Sequence, residues 1–364
     1  MTADIYHRLR RQLDQYSVGF PATASGIELK ILERLFTEEQ AALYLVMTML
    51  LERPESVADR IGKDLESVST MLEEMAAKGV LFRLRKGDVT KYAAVPFVIG
   101  AYEYQVKAID RELARMIEIY QEEGFLDLNF QKSLSPLRTI PVKKSINVSW
   151  PVAPYQDAIE IIKTKKKIAV ANCICRTQKK LLEKQCDKPL ETCLLFGSHA
   201  DYYVANELGR YITKEEAIDI LEKSEKSGLV NQPANMINPG GMCNCCGDCC
   251  GVLLALKKLP KPAEAVFNNY FAKVISEQCI GCEACHERCQ MDAISFDDNQ
   301  LAEINSDRCI GCGLCVTTCP TEAISLEVKP EKEQKMPPSN GQEYMLRNAK
   351  ARGTALVPLS ISGK

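Results

Sequence analysis

The fold of this chain is decided by two related stretches, CIGCEACHERC at residues 279–289 and CIGCGLCVTTC at residues 309–319. The flanking residues repeat as well. Ser276 and Ser306 stand three residues before the two copies, and the segment Ala-Ile-Ser follows each copy at residues 293–295 and 323–325. A tandem repeat with a fixed period predicts two half-sites related by pseudo-symmetry.

The spacing of these eight cysteines is that of ligands for two 4Fe-4S clusters. In a C-x2-C-x2-C-x3-C run, three thiolates bind one cubane and the fourth binds the other cluster. One cluster is therefore predicted to bind Cys279, Cys282, Cys285 and Cys319, and the other Cys309, Cys312, Cys315 and Cys289. A pair of zinc sites is the alternative, but two complete four-cysteine runs in tandem fit zinc spacing poorly.

Residues 276–328 closely resemble the bacterial-type two-cluster 4Fe-4S ferredoxins. Gly281 and Gly311 allow the tight ligand loops, and Ile280 and Ile310 are suited to the apolar shell that excludes water. The sequence departs from the family at Gln290, where proline is usual, and this change removes no ligand. The resemblance implies a ferredoxin-like fold and one-electron transfer.

The composition supports metal binding in a reducing compartment. The chain has 364 residues, 17 cysteines and a formal net charge of −2. It is too large for a small secreted disulfide framework, and its start lacks the pattern of a secretory signal. The longest apolar run, residues 41–51, is too short to span a bilayer. We therefore expect a cytoplasmic protein without a transmembrane segment.

Residues 1–132 are predicted to form a helical domain that resembles a winged-helix unit. A capping box at Thr37 predicts a helix over residues 38–51. Two further helices, over residues 56–62 and 64–78, precede hairpin strands at residues 80–85 and 89–94, and one long amphipathic helix is predicted over residues 97–123. The helix over residues 64–78 carries four acidic residues and one basic residue. We therefore expect this domain to dock on protein rather than enter a DNA groove.

Residues 133–265 are predicted to form a cysteine-rich middle domain that binds metal clusters. Its nine candidate ligands are Cys173, Cys175, Cys186, Cys193, Cys243, Cys245, Cys246, Cys249 and Cys250. By sequence, the first four form one group and the last five another, on either side of a helix predicted by the capping box at Thr213. One or two further iron–sulfur clusters are favoured, because the neighbouring domain already commits the protein to that chemistry. Structural zinc and redox-active vicinal thiols are the alternatives. His199 is expected to be an ordinary helix histidine rather than a ligand.

Residues 266–329 are assigned to the two-cluster domain, and residues 330–364 are predicted to be a flexible tail, because they are rich in Pro, Lys, Glu and Ser. The predicted fold class is α+β multidomain. The order of helical, cysteine-rich and ferredoxin-like segments resembles uncharacterised 4Fe-4S dicluster proteins of anaerobes. That resemblance implies redox work and names no substrate.

The sequence therefore predicts an iron–sulfur electron-transfer protein that passes low-potential electrons to or from a partner oxidoreductase. No catalytic triad, P-loop or dinucleotide fingerprint is evident, so hydrolase and nucleotide-dependent functions have no support. We expect a homo-oligomer or a subunit of a complex rather than a stand-alone catalyst. Two rival hypotheses remain open. One is a redox-sensing transcriptional regulator with a DNA-binding winged helix, and the other is an oxidoreductase with a substrate-binding cluster in the middle domain.

Overall fold

The computed structural model describes residues 2–125, 133–146, 153–356 and 358, and the chain is a mixture of helices and strands. The N-terminal region contains α1 (Thr2–Asp14), α2 (Ile27–Leu35), α3 (Glu38–Tyr44), α4 (Pro54–Ile61), α5 (Leu65–Ala77), the hairpin strands β1 (Leu81–Lys86) and β2 (Val89–Ala94), and α6 (Arg111–Tyr120). Residues 126–132, the last residues of the predicted N-terminal domain, lie outside the described residues.

The predicted start signals of these helices are present in the structure. The Thr37 side chain accepts a hydrogen bond from the Gln40 amide, and the Gln40 side chain accepts one from the Thr37 amide, which completes the capping box of α3. Asp64 caps α5 by accepting from the Ser67 amide. The order helix, helix, hairpin is therefore as predicted, although α3 ends at Tyr44 instead of continuing to residue 51.

The single long helix predicted over residues 97–123 is wrong. The structure has a π turn at Phe97–Ala101, a 3-10 turn at Glu103–Gln105, and then α6. Ile99 has a φ of 55° and breaks the helical path, and the Glu103 carboxylate accepts a hydrogen bond from the Gly100 amide. Asp110 then caps a new helix by accepting from the Leu113 amide. These local side-chain bonds outweigh the apolar periodicity.

The middle region is built on a five-stranded antiparallel sheet. Its elements are α7 (Ala158–Thr164), β3 (Ile168–Asn172), α8 (Ile174–Leu181), β4 (Glu191–Phe196), α9 (Ser198–Ala205), β5 (Gly209–Ile212), α10 (Lys214–Lys226), β6 (Val230–Pro233), β7 (Gly241–Cys245), α11 (Gly251–Lys258) and α12 (Pro262–Ala265). The strand order is β5-β3-β4-β7-β6. Thr213 caps α10 as predicted, by accepting from the Glu216 amide.

The C-terminal region contains two small two-stranded sheets around the repeated cysteine stretches. Its elements are β8 (Tyr270–Val274), α13 (Ala284–Arg288), β9 (Ile294–Phe296), β10 (Ala302–Ile304), β11 (Ile324–Val328) and α14 (Gly341–Arg352). Strand β8 pairs with β11 and β9 pairs with β10, so each small sheet combines one strand that flanks the first copy of the repeat with one that flanks the second. None of the described helices is long and apolar enough to cross a membrane.

Residues 341–352 form a helix, although they lie within the segment that its composition predicted to be a flexible tail. Asn340 caps α14, and the Asn348 side chain donates to the Ser17 carbonyl at 2.8 Å. Arg352 also donates to the Ser17 carbonyl, and the Leu134 amide donates to Asn348. Contacts with distant parts of the chain therefore order this segment, which its composition does not reveal.

One buried apolar core joins the three regions. It runs from Tyr6 and Leu9 in α1 through Ala169 in β3 and Leu253 in α11 to Leu314 beside the cysteines of the second repeat. A separate core lies under the outer face of the five-stranded sheet, around α7 and α10. The continuous core holds the N-terminal helices and the C-terminal repeat in fixed positions against the middle sheet.

Candidate iron–sulfur sites

The structure arranges the eight cysteines of the repeat around two cavities. The first cavity is lined by the outer group, defined as Cys279, Cys282, Cys285 and Cys319. The second is lined by the inner group, defined as Cys289, Cys309, Cys312 and Cys315. Each cavity is lined by three cysteines of one copy of the repeat and one cysteine of the other copy.

The walls of both cavities offer backbone donors and exclude bulky side chains. In the outer group the Ala302 amide donates to the Cys279 sulfur at 3.5 Å. In the inner group the Ala293 amide donates to the Cys289 sulfur at 3.3 Å, and the Ala272 amide donates to the Cys309 sulfur at 3.4 Å. Gly311 has a φ of 67°, and a Cβ there would lie 2.3 Å from the Tyr270 carbonyl oxygen, so only glycine fits. These features suit thiolates that carry the charge of a bound cluster.

The two groups differ in exposure. Cys282 of the outer group is exposed, and the neighbouring Ile280 side chain is 65 % exposed. In the inner group Cys315 is buried, and Ile310 and Leu314 beside it are buried in the common core. The Val142 amide donates to the Cys312 carbonyl at 2.9 Å, which fixes the inner group against the middle region. The outer group therefore faces solvent and the inner group faces the rest of the protein.

The nine middle cysteines are regrouped by the fold. Cys186, Cys246 and Cys249 form a three-cysteine group whose sulfurs all lie within 4.8 Å of one another. The Cys186 sulfur is 3.8 Å from that of Cys246 and 3.6 Å from that of Cys249. Sequence order had placed Cys186 with Cys173, Cys175 and Cys193. The structure instead places Cys186 beside Cys246 and Cys249, which come about 60 residues later in the chain. The spacing of the cysteines does not predict this contact.

The remaining cysteines form a six-cysteine group in which each sulfur has a cysteine neighbour within hydrogen-bonding reach. Following these contacts, the order is Cys193, Cys243, Cys245, Cys250, Cys175 and Cys173. Strands β4 and β7 supply the first three, and the N-termini of α8 and α11 supply the others. Hydrogen bonds from neighbouring thiols lower the pKa of Cys243 and Cys250, whereas hydrogen bonding and burial raise the pKa of the other four thiols.

Buried polar atoms without partners show that the middle cysteines suit a charged group. Gln232 is fully buried opposite Cys243 in the β6–β7 ladder, so both side chains lie on one face of the sheet. Neither polar atom of its amide has a hydrogen-bond partner among the described residues. Arg176 is buried between the two groups and donates to the Cys246 sulfur at 3.8 Å, while its Nε has no described partner. The Gln232 amide can donate a hydrogen bond, and the Arg176 guanidinium carries a positive charge that no described carboxylate pairs with. Both groups suit an anionic iron–sulfur cluster held by thiolates.

Arg176 also favours the ionised, thiolate form of Cys246 in the three-cysteine group. The pKa of the Cys246 thiol lies well below its ordinary value because Cys249 hydrogen-bonds to it and the Arg176 charge lies nearby. Lys188 lies near the same thiols and forms an ion pair with Asp248 at 2.7 Å. The group therefore holds a stabilised thiolate among three neighbouring cysteine sulfurs, and such a set of sulfur donors suits a metal ion.

A hydrogen bond connects the inner group to the middle cysteines. The Gln290 Oε1 atom accepts from the Gly247 amide at 2.7 Å. Gln290 follows Cys289 in sequence, and Gly247 follows Cys246. The departure from the ferredoxin pattern at position 290 therefore supplies a contact that a proline side chain has no atom to make.

A large cavity adjoins the six-cysteine group. Its walls include Cys193, Cys243, Glu103 and His199. Burial raises the pKa of the Glu103 carboxyl to about 8, although the Gly100 amide opposes this shift. Burial lowers the pKa of His199 to about 4, and its ring packs 5.0 Å from that of Phe82. His199 is thus a neutral side chain on the cavity wall and not a member of either cysteine group.

Comparison with known proteins identifies only the C-terminal part of the chain. A family model described as a 4Fe-4S dicluster domain matches residues 272–326. No curated protein and no solved structure was found to match the chain. Residues 272–326 are therefore a 4Fe-4S dicluster domain, and the family supports a general role in iron–sulfur electron transfer.

Sequence reasoning named every cysteine of these sites but missed the residues that connect them. Gln232 carries no motif, and only its pairing with Cys243 shows that it belongs to the site. Gln290 was visible as a departure from the family pattern, and its partner Gly247 lies in the glycine-rich loop. The long-range contact between them becomes apparent only in the fold.

Proposed function

We propose that this protein carries electrons between a redox partner and its own middle region, with the dicluster domain as the point of exchange. The observation that carries the proposal is the serial arrangement of the cysteine groups. The outer group faces solvent, the inner group follows it, and the Gln290–Gly247 hydrogen bond leads to the three-cysteine group. Cys246 and Cys249 are each bonded in sequence to a member of the six-cysteine group.

Bound 4Fe-4S clusters would supply one-electron transfer at potentials that their surroundings set. We propose that the outer and inner groups hold one cluster each and that the six-cysteine group, which offers more than four thiols, holds a further cluster. The three-cysteine group would hold a second metal site of the middle region. Zinc remains the alternative ion for a site with three thiolates.

The exposed side of the outer group has the properties of a small docking surface. Ile275 and Ile280 are exposed, and they flank Cys279. The exposed acidic residues Glu277, Glu283 and Glu287 surround them. An apolar centre with an acidic rim fits a redox partner that presents a basic patch, because charge complementarity raises the association rate of transient complexes.

The contacts of the winged-helix-like unit favour docking within the protein over DNA binding. Arg83 is almost fully buried and forms an ion pair with Glu73, and its other nitrogen donates to Asn206 at 2.8 Å. The Tyr202 hydroxyl donates to the Ala76 and Leu81 carbonyls. Helix α5 and the hairpin thus rest on α9 of the middle region, and one of the basic residues needed for phosphate contact is already used.

The test is an anaerobic count of iron and acid-labile sulfide in the full-length protein. We expect about eight irons from the dicluster domain and at least about four more from the middle region. The variant Cys243→Ser should lose about four irons and keep both signals of the dicluster domain in EPR spectra. A wild-type protein that contains about eight irons and the same EPR spectrum as Cys243→Ser would contradict a middle-region cluster.

A further inference from the structure

The cavity beside the six-cysteine group has the size and lining of a small-molecule site. Its volume is about 1000 Å³, and ligand sites commonly have volumes of about 300–1000 Å³. Its apolar and aromatic walls include Leu84, Tyr104, Leu195, Phe196, Tyr203 and Met236. Helix α14 contributes Tyr344, so the C-terminal segment helps to enclose the cavity. A molecule with an apolar body would find a complementary surface here.

One wall of this cavity carries a group of cations. Lys165, Lys166 and Lys167 line it together with Arg85 and Lys86 of the hairpin. Lys165 is 8 % exposed, so its ammonium group is shielded from bulk water. It donates to the Pro239 carbonyl at 2.9 Å and to the Asn238 side chain, and it lies 5.0 Å from the Phe196 ring centre.

All of these partners of Lys165 are neutral. Among the described residues, no carboxylate lies within ion-pair distance of its ammonium group, whereas the neighbouring Lys167 is paired with Asp201. A buried ammonium group is costly unless a charge of opposite sign accompanies it. The arrangement therefore leaves room for one anionic group at the inner end of the cavity.

A second cation behind this wall adds to the positive charge. Arg138 is fully buried, and its Nε and Nη1 atoms have no hydrogen-bond partner among the described residues. Its Nη2 atom donates to the Met236 carbonyl at 3.4 Å, and its guanidinium lies 5.8 Å from the Tyr155 ring. The charge of Arg138 acts on Lys165, and together with burial it lowers the pKa of Lys165 to about 8. Two buried cations near each other are stabilised by an anion between or beside them.

The backbone on another wall is held in an unusual conformation. Ile99 lines the cavity with a φ of 55°, in the left-handed region that a β-branched residue rarely adopts. Such strain is concentrated at ligand sites, where the surrounding structure maintains it. The Glu103 carboxyl group, which also lines the cavity, accepts a hydrogen bond from the neighbouring Gly100 amide and holds this turn.

We propose that this cavity binds a small organic anion with an apolar body, whose charged group lies at Lys165 and whose body packs against Phe196, Leu195 and Tyr203. This ligand site goes beyond electron transfer between proteins, because it places an organic molecule against Cys193 and Cys243 of the six-cysteine group. Binding of the anion requires only the cavity and its cations. It is therefore separable from the iron content of the protein.

The experiment uses full-length protein, purified anaerobically, with para-(trifluoromethyl)benzoate as the probe and its uncharged amide as the matched compound. Binding of both is followed by the fluorine NMR line width. The carboxylate should bind about tenfold more tightly than the amide, because a hydrogen bond between charged groups contributes more than one between neutral groups. In Lys165→Gln this preference should disappear, since glutamine keeps a donor for Asn238 and Pro239 but carries no charge.

The matched control is Lys163→Gln, which makes the same change in the same lysine run at a residue that is exposed and does not line the cavity. It should bind both probes as the wild type does. Met236→Trp should fill part of the cavity and weaken both compounds together. Equal binding of carboxylate and amide by the wild type would overturn the proposal, as would a preference that survives in Lys165→Gln or no binding of either compound. The iron content of the same samples shows whether any loss of binding accompanies loss of clusters.

Discussion

Replacement of Gln290 by alanine removes the side chain that joins the dicluster domain to the middle cysteines. Gln290 is 8 % exposed, and its Oε1 atom is the acceptor for the Gly247 amide. The cysteine loop around this amide is buried, since Cys246 and Cys249 are both less than 4 % exposed. In Gln290→Ala the amide would lose its acceptor without gaining access to water.

The expected cost follows from that loss. A buried donor left without a partner costs about 1–3 kcal/mol, which corresponds to a roughly 5- to 150-fold change in the equilibrium for local opening. The assay is amide hydrogen exchange of the segment containing Gly247, measured by mass spectrometry on the full-length protein. Exchange of this segment should accelerate by that factor, while the iron content of the dicluster domain stays the same, because Gln290 is not a ligand.

Three further variants sharpen this test. Gln290→Pro should behave like Gln290→Ala, because proline also lacks the acceptor. Gly247→Ala should disturb the same contact, since a Cβ at this position would lie 2.5 Å from the Gln290 carbonyl oxygen. Gln278→Ala is the control, because Gln278 is exposed and also stands next to a cluster cysteine, Cys279. Unchanged exchange in Gln290→Ala, or equal acceleration in Gln278→Ala, would refute the reasoning.

Three other predictions concern the ligands, the cavity and the N-terminal region. Cys289→Ala should damage the cluster held by the inner group more than the one held by the outer group, and preferential loss of the outer EPR signal would contradict the crossed ligation. Affinity for the organic anion should fall as the pH is raised through about 8. Burial and the nearby Arg138 charge lower the pKa of Lys165 to about 8, and burial raises the pKa of Glu103 to about 8. Above that pH the cavity loses a positive charge and gains a negative one, whereas His199 stays neutral; a flat NMR titration from pH 7 to pH 9 would oppose this assignment. Mixed duplex DNA should bind weakly at physiological salt, and sub-micromolar affinity with a slope near about −0.9 per phosphate contact would favour the transcriptional regulator instead.

The sequence by itself determined the chemistry of the C-terminal region. Two copies of C-x2-C-x2-C-x3-C leave few alternatives, because the short spacers and the glycines at positions 281 and 311 restrict how the backbone can present its thiols. The sequence also predicted the capping box at Thr37 and the helix cap at Thr213, since each depends on residues three positions apart. Local patterns of this kind are complete within a few residues.

The tertiary structure alone decided how the middle cysteines divide into a three-cysteine and a six-cysteine group. Cys186 joins Cys246 and Cys249 because the strand order places β7 beside β4, a consequence of sheet topology that no spacing of cysteines contains. The same is true of the break at Ile99 and of the helix at residues 341–352, where contacts with distant residues outweigh local periodicity or composition. The cavity beside Cys193 also depends on the meeting of segments that are far apart in the sequence, and the energy of such long-range packing is not encoded at any one position.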